Sequence, residues 1–131
     1  MSDTYVFVNG NKAEVSLPAG ADVHVKVKTN SKHTQQVRLG RADGSVDHTY
    51  SGSGDSNTVI GNNRITADGK QLYSATFEYS DGDGAMQPSK LNSGGPYDIG
   101  EYHIMVVVAE NGDDADYNDS ILEFSWHTPK A

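Results

Sequence analysis

Apolar and polar residues alternate along several short stretches, and this alternation restricts the possible folds more than any other feature of the sequence. Between residues 22 and 29, three valines at odd positions alternate with His24, Lys26 and Lys28. Because successive side chains of a strand point to opposite faces, a period of two predicts a half-buried β-strand. Similar runs cover residues 5–8, 13–17, 34–39, 71–79, 102–109 and 120–126.

Residues typical of turns separate these runs. The chain has 14 glycines, most of them beside Asn, Asp or Ser, and turn signals occur at residues 9–10, 18–20, 43–44, 51–54, 61–63, 68–69, 81–84, 92–96 and 111–112. Short strands joined by turns at this spacing are typical of a β-sandwich. No segment shows a helical period and no motif repeats at a fixed spacing. The sequence therefore predicts an all-β fold.

The length of the chain predicts one domain. Its 131 residues are enough for a single hydrophobic core, so we expect one unit over residues 1–131. Residues 80–100 are polar and contain a Gly-Gly-Pro sequence, which predicts a long surface loop within that domain.

Charge and composition exclude several functional classes. The formal net charge is -8, and no basic patch is visible, so a nucleic acid is a disfavoured partner. The absence of cysteine excludes disulfides, thiolate metal sites and a cysteine nucleophile. No apolar run approaches the roughly 20 residues of a membrane span, and the amino terminus has no signal-peptide pattern. We expect no membrane insertion.

Acidic residues are concentrated in residues 110–119, which hold five of the eighteen carboxylates. Carboxylates a few ångströms apart repel each other unless a cation is present, and Ca²⁺ takes six to eight carboxylate or amide oxygens. In an extended backbone, Asp114, Asp116 and Asn118 project to one side, and Glu110 has the same parity. Asp119 would need a local turn to join them. The oxygens exceed the needs of one ion, which makes two neighbouring ions a possibility.

Other interpretations of this segment are an acidic loop that is only solvated and a loop with one stabilising ion. An EF-hand is excluded, because counting from Asp114 places Asp119 where that motif needs glycine and Ser125 where it needs a bidentate glutamate.

Catalytic interpretations are weaker. The histidines show no zinc-ligand spacing at positions 24, 33, 48, 103 and 127. A glycosidase needs one isolated acid with a raised pKa, and the carboxylates of this segment are too crowded to supply it. Trp126 shares its parity with Leu122 and Phe124 and is predicted in the core, while Tyr117 is expected to pack beneath the ions. We therefore expect no enzymatic activity.

The sequence resembles a known family at three places. Residues 110–119, followed by Ile121, Leu122 and Trp126, resemble the C-terminal signature of the small bacterial calcium-dependent lectins typified by the fucose- and mannose-binding lectin of Pseudomonas. Residues 16–20, 29–30 and 34–37 resemble that family's first hairpin, and residues 51–52 and 59–61 give a third match. The resemblance spans approximately residues 13–126.

The resemblance implies a nine-stranded antiparallel β-sandwich with Greek-key-like connections, in which two adjacent Ca²⁺ ions coordinate sugar hydroxyls. Its metal ligands would be Asn30, Glu110, Asp114, Asp116, Asn118 and Asp119. Its sugar-binding residues would be Ser31, Lys32, His33, Asp55, Asn111, Asp114, Asp116 and Asp119.

The resemblance also implies a specificity. The specificity loop would be residues 31–33, and a serine in its first position implies that fucose is preferred over mannose. Asn111 replaces an aspartate that commonly accepts a hydrogen bond from the sugar. Asp55 falls where some members have a small residue that contacts the apolar edge of the sugar.

Three segments fall outside the resemblance: an N-terminal extension at residues 1–12, the inserted surface loop at residues 80–100 and a C-terminal tail at residues 127–131. The family implies a homodimer or another homo-oligomer in which the terminal carboxylate reaches the neighbouring subunit's ions. Pro129 stands at the position of the family's terminal glycine, so we expect a rearranged C-terminal contribution.

The leading hypothesis is thus a calcium-dependent lectin for fucose-type or mannose-type sugars, without enzymatic activity. The alternative is a Ca²⁺-stabilised structural or adhesion β-sandwich that binds no sugar. We expect the bacterial cytoplasm as its location, with release or surface association by a route that needs no signal peptide.

Overall fold

A computed structural model describes residues 4–41, 44, 46–69, 72–80, 85–110 and 119–129. These residues form nine strands, all paired antiparallel: β1 (Tyr5–Asn9), β2 (Lys12–Ser16), β3 (Asp22–Arg41), β4 (Asp47–Thr66), β5 (Tyr73–Ser80), β6 (Met86–Pro88), β7 (Lys90–Ile99), β8 (Tyr102–Glu110) and β9 (Ser120–His127). The described part of the chain contains no helix, and so none that could cross a membrane. The predicted nine-stranded antiparallel fold is confirmed.

The strands form one curled sheet in the order β1-β2-β5-β3-β9-β8-β7, with β4 paired to β3 and β6 paired to β5. The outer strand β1 also contacts β7, so the sheet nearly closes on itself. Because β9 returns to lie beside β3, the connections are Greek-key-like. Closure covers most sheet edges and leaves β4 as an edge strand beside β3.

The two longest strands, β3 and β4, link the two layers of the fold. The first part of β3 pairs with β9 over residues 24–29, and the second part pairs with β5 over residues 34–41. Between these parts the pairing with β4 shifts register around Ser31. Bulges of this kind bend a strand and increase its twist. The bend of β3 at residues 29–34 is therefore where one layer passes into the other.

The core lies between the layers and follows the predicted alternation. In β3, Val23, Val25 and Val27 are fully buried, and in β9 the same is true of Leu122 and Phe124. Trp126 is 4% exposed, which confirms its place in the core. Burial of each large apolar side chain contributes about 1.5–3 kcal/mol, and this burial holds the two layers together.

Residues 80–100 differ from the predicted surface loop, because they contain β6 and β7. Most side chains of β7 are half-buried or exposed, so the apolar alternation used to recognise strands is missing. The turn signal at residues 92–96 marks a register shift within this strand, between Gly94 and Tyr97, rather than a turn. Its antiparallel pairing with β8 explains why a polar segment is extended.

The turns predicted at residues 51–54 and 61–63 are also wrong, because both segments belong to β4. The glycines at positions 52 and 61 allow the two halves of the strand to pack closely. A methyl group added to Gly52 would lie 2.7 Å from Cγ2 of Ile60, and one added to Gly61 would overlap the ring of Tyr50. The glycines therefore allow the two halves of the β3–β4 ribbon to approach closely.

Tyr50 packs against Gly61 where the two halves of β4 meet. Its ring is 8% exposed, and its hydroxyl donates a hydrogen bond to Oδ1 of Asn63. Burial raises the pKa of Tyr50 above its usual value, because desolvation disfavours the phenolate, while the hydrogen bond to Asn63 acts in the opposite direction. The hydroxyl therefore keeps its proton, and its bond to Asn63, at pH values where an exposed tyrosine ionises.

Gly61 and Gly40 are a matched pair for a stability test, because the Tyr50 ring lies where the Cβ of Gly61 would be, whereas no side chain lies that close to the Cβ position of Gly40. We expect Gly61→Ala to reduce the free energy of unfolding by about 1–3 kcal/mol, because the new methyl group overlaps the Tyr50 ring. A methyl group at Gly40 would lie 3.7 Å from the Val46 carbonyl oxygen, so Gly40→Ala should change stability by about 0.5 kcal/mol or less. Urea unfolding of both variants measures the difference, and equal losses would contradict the packing described here.

Candidate functional site

The end of β8 and the start of β9 lie beside the bend of β3, and the registers of the three strands bring three oxygen-bearing residues into one row. Thr29 of β3 lies opposite Ser120 of β9, and Ser120 lies opposite Ala109 of β8. One position further along are Asn30, Asp119 and Glu110. Neighbouring strands are about 4.8 Å apart, so the row spans about 10 Å. The pairing alone thus gathers three of the six predicted metal ligands.

The backbone of Asp119 is fixed from both sides. Its N–H donates to the Ala109 carbonyl at 3.1 Å, and its own carbonyl accepts the Asn30 N–H at 3.2 Å. The Thr29 hydroxyl donates to the same carbonyl at 2.7 Å from a fully buried position. Three hydrogen bonds therefore hold Asp119 in register before any ligand is present.

Two carboxylates in this row are shielded from water. Glu110 is 2% exposed and Asp119 is 4% exposed, although their parity places them on the face opposite the core. Burial of neighbouring like charges is unfavourable unless hydrogen bonds or a cation compensate them. A divalent cation compensates both carboxylates at once, and carboxylate and amide oxygens are the ligands that Ca²⁺ prefers. The donor chemistry of the row therefore fits calcium.

The row is a partial ligand set. In the ranges that the structure describes, no three acidic or histidine side chains converge on a point that could hold a metal ion. Ca²⁺ takes six to eight oxygens, and Asn30, Asp119 and Glu110 alone supply fewer. The other predicted ligands, Asp114, Asp116 and Asn118, and the predicted sugar contact Asn111, lie outside the described residues.

Asn30 is oriented by Asn57 of β4. The Asn30 Oδ1 accepts the backbone N–H of Asn57 at 2.7 Å, and the Asn30 Nδ2 donates to Oδ1 of Asn57 at 2.8 Å. These two hydrogen bonds define which atom of the Asn30 side-chain amide is the oxygen and which is the nitrogen. A carbonyl oxygen has two lone pairs, so Oδ1 of Asn30 can accept this bond and still coordinate a cation.

The backbone of β4 bends where it meets Asn30. Ser56 and Asn57 have left-handed φ values of 63° and 57°, a region that non-glycine residues rarely occupy. Asn57 adopts it more readily than most residues and gains the two bonds to Asn30. Asp55 precedes this bend with an exposed side chain, and its carbonyl accepts the Thr58 hydroxyl at 2.7 Å. Asp55 therefore lies two residues before Asn57, the residue that holds the Asn30 amide.

Residues 31–33, predicted to contact sugar, form the irregular part of β3. Ser31 is 6% exposed, and its Oγ accepts the His33 N–H at 3.1 Å. Lys32 is exposed and His33 is half-buried. The hydrogen bond across two residues fixes the local backbone, so this segment offers one tightly held hydroxyl and one accessible charged side chain.

Gln35 connects this segment to β9 through buried polar contacts. Ser120 Oγ donates to Oε1 of Gln35 at 2.8 Å, and Nε2 of Gln35 donates to the His33 carbonyl at 3.2 Å. Gln35 is fully buried and Ser120 is 1% exposed. Fully satisfied polar groups of this kind are costly to disrupt, so they hold the bend and the row in a fixed relation.

Sequence reasoning missed the residues that support the site. Gln35 and Thr29 have polar side chains that occupy inward positions of β3, which is the signal that could have identified them. Asn57 lies in the sequence Asp-Ser-Asn-Thr, whose turn-forming residues could have indicated the bend. None of the three was assigned a role from the sequence.

Several of the five histidines take part in contacts with neighbouring side chains. His103 accepts or donates hydrogen bonds with Asp98 at 2.5 Å and with the Thr128 hydroxyl at 2.6 Å, and its ring packs on Trp126. His127 packs against Tyr102, and His48 against Tyr50. These contacts are structural.

The sequence identifies the family to which this architecture belongs. Residues 15–128 match the family described as fucose-binding lectin II (PA-IIL). The chain therefore belongs to the fucose-binding lectin II family, and it is a carbohydrate-binding protein rather than an enzyme. Among curated proteins, none matches the sequence significantly.

Solved structures of bacterial lectins show the same fold. A high-affinity mannose-binding lectin of Ralstonia solanacearum is 26% identical with a TM-score of 0.68, over 90% of this chain and 96% of the lectin. The Chromobacterium violaceum lectin CV2L, solved with α-methyl-fucoside, has the same identity and TM-score over 95% and 100%. The C-terminal domain of the lectin BC2L-C from Burkholderia cenocepacia is 22% identical with a TM-score of 0.67 over all of both chains, and it supports the fold alone.

The contact between Asn57 and Asn30 can be tested by removing only the side-chain amide. Asn57→Gly keeps the left-handed backbone without strain but loses the acceptor for Nδ2 of Asn30, so we expect unfolding to become easier by about 1 kcal/mol. Ser56→Gly is the matched control, since it relaxes the same bend at the neighbouring residue. Urea unfolding compares the two variants. A Ser56→Gly loss as large as that of Asn57→Gly would show that the bend, and not the amide pair, matters.

Proposed function

We propose that this protein is a calcium-dependent lectin that recognises fucose-type and mannose-type sugars through two adjacent Ca²⁺ ions. The observation that carries the proposal is the buried pair of carboxylates, Glu110 and Asp119, beside the oriented amide of Asn30. The similar lectins from Ralstonia and Chromobacterium, one described as mannose-binding and one solved with α-methyl-fucoside, support this choice of sugars.

The proposed ligand set extends the row with three residues of the acidic segment. Asn30, Glu110 and Asp119 would supply part of the ligand set, and Asp114, Asp116 and Asn118 the remaining side-chain ligands. When bound, Ca²⁺ would coordinate pairs of sugar hydroxyls in place of water. The segment 110–119 contains five carboxylates, and two dications carry +4, so the loaded site would be near neutral. A near-neutral site suits a neutral sugar.

The chain's own contribution is preorganisation. Thr29 and Ala109 hold the backbone of Asp119, while Asn57 holds the amide of Asn30. Donors fixed in this way lose little conformational freedom when a ligand binds, which improves affinity. Asn111 and Asp55 are the proposed polar contacts to the rest of the sugar.

Sugar choice would depend on residues 31–33. Ser31 has one hydroxyl, which can donate as well as accept, and its position is fixed by the bond from the His33 N–H. The exposed Lys32 and half-buried His33 would contact a second saccharide unit. We propose fucose as the preferred monosaccharide, because a serine at the first position of residues 31–33 goes with that preference in the family that the sequence resembles.

Removal of one buried carboxylate tests the calcium site. Glu110→Gln keeps the size of the side chain but loses a charged ligand, so we expect Ca²⁺ affinity to fall by more than about tenfold and fucose binding to fall with it. Glu123→Gln is the matched control, because Glu123 lies on β9 in an ion pair with Lys28, at 3.2 Å. Calorimetric titration with Ca²⁺, then with fucose, measures both affinities. Unchanged Ca²⁺ affinity in Glu110→Gln would refute the assignment.

A chelator separates the lectin from a purely structural β-sandwich. The parent protein should be retained on fucose resin with Ca²⁺ and released by EDTA while it stays folded, since the core does not include the ligand row. A protein that never binds the resin, and only loses thermal stability in EDTA, would be the structural alternative.

Replacement of one hydroxyl tests the sugar preference. Fucose should compete better than mannose for the parent protein, and Ser31→Ala should narrow or reverse the difference, because the methyl group cannot form hydrogen bonds. Competition on a mannose-coated surface measures both sugars. Equal competition by the two sugars in the parent protein would contradict the assignment of residues 31–33.

We also propose a homodimer or another homo-oligomer. The β8 strand is apolar on both faces, with Ile104, Val106 and Val108 half-buried on the face opposite the core. The tail starts at His127, at the far end of β9 and about 23 Å along the strand from Ser120. The next residue, Thr128, is held there because its N–H donates to the Glu101 carbonyl. Any C-terminal contribution to a site would therefore reach a partner copy's site.

Sedimentation equilibrium tests this assembly. The parent protein should associate at micromolar concentration, and Val106→Lys should shift it towards monomer, because a charge on the apolar outer face opposes association. Glu101→Gln, at an exposed position next to β8, is the control. A parent protein that stays monomeric would exclude the proposed assembly.

A further inference from the structure

A concave surface lies away from the ligand row. It is a groove of about 530 Å³ on the outer face of the layer formed by β1, β2, β5 and the second part of β3. Phe7, Lys12, Glu14, Gly40, Leu72 and Ser74 are among the residues that line it. A volume of this size is within the range of small-ligand sites. We call this surface the β2–β5 groove.

The groove is built by strand register. Phe7 lies opposite Glu14, Glu14 opposite Ser74, and Ser74 opposite Gly40, so one transverse row crosses four strands. Gly40 lies six residues along β3 from Thr34, or about 20 Å from the bend that carries the ligand row. The β2–β5 groove is therefore separate from the proposed calcium site.

Gly40 has no packing role of the kind found in β4. In the part of the chain that the structure covers, every other glycine has a left-handed φ or a side chain close to where its Cβ would be. A methyl group at Gly40 would instead lie 3.7 Å from one carbonyl oxygen. Glycine inside a strand often marks a place where a ligand approaches the backbone. Here the open space above Gly40 belongs to the groove.

The rim of the groove is apolar and exposed. The Phe7 side chain is 59% exposed and that of Leu72 is 41% exposed. The face of an aromatic ring carries partial negative charge and attracts the weakly positive C–H groups of a sugar ring. Phe7 therefore offers a stacking surface beside polar groups that can form hydrogen bonds, such as the Ser74 hydroxyl.

The charges of the groove are balanced, unlike those of the whole chain. Lys12 and Glu14 carry opposite charges, and Arg41 is paired with Asp68 at 2.6 Å. A groove without net charge favours neither an anion nor a cation, so it suits a neutral ligand that combines apolar faces with hydroxyl groups. Oligosaccharides have this chemistry.

The groove also continues beyond one saccharide unit. A second cavity of about 190 Å³ shares Gly40 and Ser74 with it and extends to Thr76 and Glu78. Four of the lining residues, Phe7, Asn9, Lys12 and Glu14, precede residue 15, where the match to the lectin family begins. This surface is thus formed in part by residues outside the matched region.

We propose that the β2–β5 groove is a second carbohydrate-binding site, which takes a neutral oligosaccharide without calcium. Phe7 stacks on one sugar ring, and the side chains of Ser74, Lys12 and Glu14 form hydrogen bonds to hydroxyl groups. With this site the lectin binds glycan at two separated places on one chain.

Amide NMR spectra in EDTA test the proposal apart from the calcium site. The probes are three neutral trisaccharides, maltotriose, cellotriose and mannotriose, each titrated to about 10 mM. At least one should cause saturable shifts at Phe7, Gly40 and Ser74. If none does so in the parent protein, the proposal is wrong, whether or not calcium-dependent fucose binding is found.

Two variants and one control assign the site. Phe7→Ala should weaken binding at least about fivefold through loss of stacking, and Gly40→Val should abolish it by filling the groove. Ile99→Ala is the control, since Ile99 is an apolar residue 75% exposed on β7, and it should bind as the parent does. All three should keep calcium-dependent retention on fucose resin. Unchanged trisaccharide binding in Phe7→Ala or Gly40→Val would overturn the proposal. The proposal would also be wrong if a small apolar probe, benzyl alcohol, bound in the groove while none of the three trisaccharides did.

Discussion

The site depends on one interaction, the antiparallel register that aligns β3, β9 and β8. Because Thr29, Ser120 and Ala109 lie opposite one another, the next residues bring Asn30, Asp119 and Glu110 side by side. The backbone bonds of Asp119 enforce that alignment, at 3.1 and 3.2 Å. A slip of one residue in any of the three strands would turn the site residue of that strand to the opposite face and would also expose the core side chains of that strand. Core packing and site geometry are thus set by the same register.

The bend of β3 provides further residues of the proposed site. It carries Asn30 and residues 31–33, and it lies between β9 on one layer and β5 on the other. Gln35 fastens the bend to Ser120 from within, while Asn57 fastens Asn30 from β4. Residues that bind ligand are often placed on irregular segments held by a rigid scaffold. Here the scaffold is a nearly closed sheet whose two longest strands form the irregular segment.

The sequence predicted most strands because one face of each is buried, as in β3 and β9. It failed for β4 and β7, where glycines serve packing or a register shift and exposed side chains hide the alternation. The acidic segment 110–119 lies in the sequence between β8 and β9, so its first and last residues, Glu110 and Asp119, lie at the neighbouring ends of those strands. The roles of Asn57 and Gln35 require long-range contacts that no local pattern contains. All assignments of metal ligands and sugar contacts remain predictions from the sequence, and those of Asn111, Asp114, Asp116 and Asn118 fall outside the described residues.

A crystal structure grown with Ca²⁺ and α-methyl-fucoside is the decisive test of the proposed site. Calcium should lie at about 2.3–2.6 Å from side-chain oxygens of Glu110, Asp119 and Asn30, with fucoside hydroxyls completing the coordination. The Asn30 amide should keep its two hydrogen bonds to Asn57. Calcium bound elsewhere, or fucoside held at this row without any metal, would refute the proposed calcium site.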